Sequence, residues 1–267
     1  MQKRHLLWFI FVLISTIGCS RNDDPLPAGN GKVLVLMYHS IVAGTPANEY
    51  ERTLDKLEED LVFIRDNNIN VLSFSDLGEI EEVGEMPAQN SMILTFDDGD
   101  ESWYTLVRPL LLKYSMKATF FLCTDMVGTG TYINWDEVEE MSGYSRPGGE
   151  RPFEFESHTV SHSFLLDKRA EFETDAEYNA FLDFELGESK KLIEGHVNGE
   201  ITAFSLPYGN GADDPVIIAA AKRNGYNLIR TSRWGNITSP EFDPYSIPSL
   251  PVLDTTSVRF IDYYLNR

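Results

Sequence analysis

Short apolar runs alternate with amphipathic stretches along almost the whole chain, and no other feature constrains the fold as strongly. Runs of β-type composition fall at 33–37, 70–74, 92–96, 117–123, 153–156, 203–206 and 227–231. Between them lie segments of helical spacing. At 52–66, Leu54, Leu57, Leu61 and Ile64 share one face. Further helices are expected at 75–80, 103–114, 135–141, 175–195, 214–224 and 257–265. Ser75 is placed to cap the second helix, Gly225 to close the helix at 214–224, and Pro109 to kink 103–114. About seven strand–helix alternations, without repeats or a second linker, predict a single α/β domain: a parallel barrel or an open sheet. In barrels, functional residues sit at the C-terminal ends of strands. His39, Asp97-Asp98, His158 and Pro207-Tyr208 each follow an apolar run.

The first residues have a different purpose. Lys3 and Arg4 precede an apolar run at 6–17, a length that suits an export signal and is short for a bilayer span. It ends at Thr16-Ile17-Gly18-Cys19, which resembles a bacterial lipoprotein signal. A signal peptide over 1–18, a lipid on Cys19 and a Pro/Gly/Asp-rich flexible tether over 19–32 are therefore expected, with the domain at 33–267. Asp23-Asp24 resembles a surface-export signal, so the outer membrane of the cell envelope is the expected location. The only other cysteine, Cys123, lies in an apolar run and reads as a buried thiol. The formal charge of −20 argues against nucleic acid and anionic partners, and favours a neutral or cationic polymer. A monomer is expected.

The chemistry is carried by two clusters. In Thr95-Phe96-Asp97-Asp98-Gly99, adjacent carboxylates repel unless a cation lies between them. One Asp then ligates the cation while the other stays free as a base. Taken alone, Asp-Asp-Gly is also ordinary turn chemistry. The second cluster, His158-Thr159-Val160-Ser161-His162, weighs against that reading. Its two imidazoles are four residues apart, and on a helical turn they would face one side. Two imidazoles and one carboxylate form a facial set that leaves positions open for water and substrate. Zinc is the favoured ion, with cobalt or nickel able to substitute. Such a site activates water and polarises a carbonyl. A further group must protonate the leaving atom, and His39 is best placed, although a histidine bonded near Tyr38 in the core has the same sequence signature. Thr159 is expected to fasten the His loop through its hydroxyl. Tyr208 and Trp234 are the aromatics whose faces suit sugar rings.

These residues resemble the motifs of the NodB-homology polysaccharide deacetylases. Thr95-Phe96-Asp97-Asp98-Gly99 is similar to the first motif and Ser157-His158-Thr159-Val160-Ser161-His162 to the second. Tyr38-His39-Ser40 and Phe204-Ser205-Leu206-Pro207-Tyr208-Gly209 are similar to the poly-N-acetylglucosamine deacetylase branch. The resemblance runs from residue 33 to the C-terminus and implies a distorted (β/α) barrel. It implies Asp97 as general base, and Asp98, His158 and His162 as ligands of one divalent metal ion. The backbone N–H of Tyr208, after Pro207, is implied as an oxyanion donor. An acetylated polysaccharide is implied as substrate, with hydrolysis of its N-acetyl groups. The chain departs from the pattern at three points. Ser205 stands where many members carry Arg. No His follows His196, so the usual late acid is absent and His39 takes that role in the branch. The Asp-rich segment before Trp234 is missing. The alternatives are an O-acetyl esterase acting on xylan-like polymers, and a catalytically weak lipoprotein that binds polysaccharide.

Overall fold

The computed structural model describes residues 28–267. The expected leader 1–18, Cys19 and residues 20–27 lie outside the described residues. Ala28–Gly29, expected in the tether, instead pairs antiparallel with Met86–Pro87. Among the described residues no helix is long and apolar enough to cross a membrane.

The main elements are β1 (Val33–Tyr38), α1 (Leu54–Asp66), β2 (Asn70–Leu72), α2 (Phe74–Val83), β3 (Ser91–Asp98), α3 (Arg108–Tyr114), β4 (Ala118–Leu122), α4 (Trp135–Gly143) and β5 (Phe153–Ser157). They continue with α5 (Asp175–Asp183), α6 (Ser189–Glu194), β6 (Ala203–Ser205), α7 (Pro215–Arg223), β7 (Leu228–Arg230), β8 (Leu250–Pro251) and α8 (Val258–Asn266). All eight strands join one sheet in the order β7-β6-β5-β4-β3-β1-β8, with β2 paired to the first half of β3. Every pairing in it is parallel. An isolated parallel bridge from Arg230 to Ile247 links β7 to the segment leading into β8. The sheet therefore curls back on itself as a distorted barrel, as the alternation of strands and helices predicts.

Both faces of the sheet are buried, which is why its strands read as unbroken apolar runs. Leu34, Leu36, Leu94, Phe96, Phe120 and Phe204 face the helical layer. Their neighbours Val33, Val35, Ile93, Phe121 and Leu228 belong to a second, interior cluster. Phe74, Leu77 and Ile80 of α2 join that interior cluster, and the Phe74 ring meets Phe121 edge-on at 5.0 Å between centroids. The interior is thus filled by a helix as well as by strand side chains.

The structure differs from expectation at four elements. Phe74 begins α2 rather than ending a strand, because Ser73 caps the helix: it accepts from the N–H of Asp76, whose carboxylate accepts from the Ser73 N–H. The 175–195 helix is interrupted by a π-helical turn at Phe184–Glu188. A second such turn, Trp103–Val107, runs into α3 without leaving helical backbone, and its wider hydrogen-bond spacing accommodates Pro109, which has no N–H to donate. The two-residue β8 has too little sequence to carry a periodic signal.

Candidate active site

β3 ends in the two aspartates, and the pleat sends them apart. Asp97 points inward and is buried; its Oδ2 pairs with the guanidinium of Arg230, while Oδ1 has no hydrogen-bond partner. Asp98 takes a left-handed backbone (φ 84°), continued by Gly99 (φ 111°), and this turns its carboxylate toward the His loop. The loop is not helical, contrary to the expectation from the four-residue spacing. Thr159 (φ 68°) and His162 (φ 56°) reverse the chain, and the His162 N–H donates to Thr159 Oγ1 at 3.2 Å. The Thr159 hydroxyl does fasten the loop, as its position suggests.

The two imidazoles and Asp98 converge. His158 Nε2 and His162 Nε2 are 3.1 Å apart and lie 3.4 Å and 3.2 Å from Asp98 Oδ1. His158 Nδ1 lies 2.9 Å from the Ser205 carbonyl and 2.5 Å from the Ser205 hydroxyl; the carbonyl can only accept, so a proton on Nδ1 satisfies it and leaves the Nε2 lone pair for a ligand. His162 Nδ1 is 3.1 Å from the Tyr208 hydroxyl. Asp98 Oδ1 is buried and receives no well-directed hydrogen bond from either ring, despite the short distances. Burial works to raise the Asp98 carboxyl, but the two imidazoles, when protonated, outweigh it through hydrogen bonding and charge and hold the group well below the usual carboxylate range. A cation about 2.1 Å from three ligands sets them roughly 3.0–3.4 Å apart, from octahedral to tetrahedral angles. The donor set thus fits a divalent ion, and Asp98, His158 and His162 stand out on that ground.

The other expected residues fall unevenly. His39 follows β1; its carbonyl accepts from Trp103 Nε1 and its ring stands edge-on to Tyr50. Burial holds its imidazole below the ordinary value, against the pull of Asp97 and Asp98. Asp97, Asp98, Arg230 and His158 all act on it through space, so it lies near the constellation without a described contact to it. Pro207 is buried, and Tyr208 follows it in a left-handed conformation (φ 58°) with its ring exposed. That ring stacks on Phe164 at 3.8 Å between centroids. Trp234 is not brought to the constellation by any described contact; its exposed ring packs against Phe260 and Tyr264 of α8.

Two residues were missed by sequence reasoning. Arg230 is 1% exposed, spans from Met37 Sδ to Asp97, and lies 5.3 Å over the Phe121 ring. It is the parallel partner of Ser205, so the neighbouring strand supplies the guanidinium that is absent at Ser205. Glu185, on the π-helical turn, is likewise 1% exposed and accepts from the His loop.

Comparison with known proteins gives the same answer as the motifs. The model of the polysaccharide deacetylase family matches residues 84–229. The Bacillus subtilis (strain 168) protein YxkH is 26% identical over 204 residues, 76% of this chain and 66% of that protein. The chain thus spans just under two thirds of that relative's length. The Staphylococcus aureus (strain MRSA252) poly-beta-1,6-N-acetyl-D-glucosamine N-deacetylase is 24% identical over 254 residues, 87% of this chain and 84% of that one. Among solved structures, the Streptococcus pyogenes deacetylase PplD, in complex with acetate, has the same fold (TM-score 0.75; 24% identity; 88% of this chain, 98% of that one). With over half its length matched by the family model, the chain belongs to the polysaccharide deacetylase family.

Proposed function

We propose that the protein is a metal-dependent hydrolase that removes N-acetyl groups from N-acetylglucosamine-containing polysaccharide. The observation that carries this reading is the meeting of three lone-pair atoms, on Asp98, His158 and His162, beside a carboxylate with one free oxygen. The likeness to the Staphylococcus aureus N-deacetylase supports the choice of substrate. Asp98, His158 and His162 would hold the ion, most suitably zinc. When bound, it polarises the acetyl carbonyl and lowers the pKa of a water. Asp97 Oδ1 takes the proton from the attacking water, since Oδ2 is committed to Arg230. The backbone N–H of Tyr208 shares the charge that develops on the carbonyl oxygen. His39, which burial disfavours in its protonated form, must carry a proton in the complex and deliver it to the amide nitrogen as the C–N bond breaks, leaving acetate and a free amine.

The test is acetate release from N-acetylglucosamine oligomers and from acetylated xylan, with and without chelator. Chelator-sensitive release from the oligomers supports the proposal. Release from xylan alone makes the protein an esterase, and release from neither overturns a catalytic role. Retention by lipid at Cys19 in an outer membrane belongs to the same reading. Cys19→Ala is expected to move the protein from the membrane to the soluble fraction, read by cell fractionation.

A further inference from the structure

Glu185 is a carboxylate buried in the helical layer without a cation. Among the described ion pairs, no Lys, Arg or His is joined to it, although an unpaired buried carboxylate is costly unless hydrogen bonds compensate. All of its described hydrogen bonds come from the His loop. Oε2 accepts the N–H of Val160 at 3.0 Å and the N–H of Ser161 at 2.9 Å, and Oε1 accepts the Ser161 hydroxyl. One turn later Ser189, also fully buried, lies 2.7 Å from Ser157 Oγ, which accepts the Thr159 N–H at 3.1 Å.

The sequence around these residues is otherwise apolar on its inner side, with Leu182, Leu186 and Ile193 in the core. The π-helical turn at Phe184–Glu188 adds a residue to the helix. Glu185 and Ser189 then face the loop while the leucines stay in the core. The loop needs such a hold. Two of its five residues, Thr159 and His162, have positive φ, a conformation that side chains other than glycine rarely adopt unaided.

We propose that Glu185 is a positioning residue for His162: it fixes the backbone at Val160-Ser161 so that the His162 imidazole meets His158 and Asp98 before any ion arrives. The proposal rests on the metal reading of that trio. Groups that hydrogen-bond a metal ligand directly typically change metal affinity ten- to hundred-fold, and a hold on the adjoining backbone belongs at the lower end of that range.

The experiment uses the full chain, with Glu185→Gln and Glu185→Ala. Zinc affinity is measured by competition with a chelating dye, and amide hydrogen exchange is measured on the metal-free protein. Gln keeps one carbonyl oxygen but loses the charge. It is expected to keep the circular dichroism and metal-free Tm near wild type and to bind zinc about ten-fold more weakly. Exchange at Val160 and Ser161 should accelerate while the β5 amides stay protected. A folded Gln variant with wild-type zinc affinity and wild-type protection overturns the proposal. Should Ala fail to fold, the Gln variant decides. A wild type that binds no zinc overturns the metal reading, and this proposal with it. Wild-type binding with unchanged variants overturns the role of Glu185 alone.

Discussion

Asp97 keeps one oxygen for chemistry because Arg230 holds the other. Asp97→Asn keeps the shape and every neighbour but removes the basic lone pair and the charge. Turnover is expected to fall by about 10²–10⁴-fold, the usual worth of a positioned base. Zinc affinity should stay near wild type, because Asp97 is not one of the three converging ligands; a dye-competition titration beside the acetate assay checks both. The ion pair also makes a stability prediction. Arg230→Met leaves Asp97 charged, buried and alone, which costs about 3–5 kcal/mol. Adding Asp97→Asn removes the stranded charge, so the double variant should be more stable than Arg230→Met in denaturant unfolding. Equal stabilities would mean that the pair is not coupled. None of this was legible at Arg230 itself. In the sequence it is one cation among 22 Lys and Arg. Its role depends on a parallel register that sets it beside Ser205 and on a barrel interior shared with Asp97.

The elements behind the site are held by polar groups in unusual places. α1 turns Asp60 inward among Leu57, Leu61 and Ile64, where it receives Arg52 through two hydrogen bonds of 2.8 Å and the Tyr38 hydroxyl at 3.0 Å. Arg52 also donates to the carbonyls of Leu253 and Thr256. This network ties the end of β1, just before His39, to the segment that leads into α8. Asp60→Asn leaves Arg52 buried without its counter-ion and should destabilise by about 3–5 kcal/mol, measured by chemical denaturation. A loss under about 1 kcal/mol would show that the two carbonyls suffice for Arg52. The strands and most helices were legible because burial on both sheet faces writes apolar runs, and amphipathic helices write a period. The His loop was misread for a physical reason. Four-residue spacing signals one face only if the backbone is helical, and here two positive φ angles bring the imidazoles together by another path. The π-helical turns were invisible because they change the phase of a helical pattern without breaking it.

At the scale of the whole molecule, the candidate metal ligands come from two strand ends with another strand between them, and their supports come from two more. Asp98 ends β3 and the His loop follows β5, while Ser205 and Arg230 end β6 and β7. Such a trio exists only when the sheet is assembled, so an ion there binds the folded chain and not the unfolded one. Linkage then requires that zinc stabilise folding. At a hundred times its dissociation constant the gain is about 2.7 kcal/mol. For a domain of this size that is roughly 5–10 °C in Tm. Chelator should remove the shift. Asp98→Ala should abolish it, whereas Asp97→Asn should retain it, since Asp97 lies outside the trio. The comparison separates ligand from base without an activity assay. If zinc raised the Tm of Asp98→Ala as much as that of the wild type, the ion would be bound elsewhere on this acidic chain. The convergence of His158, His162 and Asp98 would then have to be explained by hydrogen bonding alone.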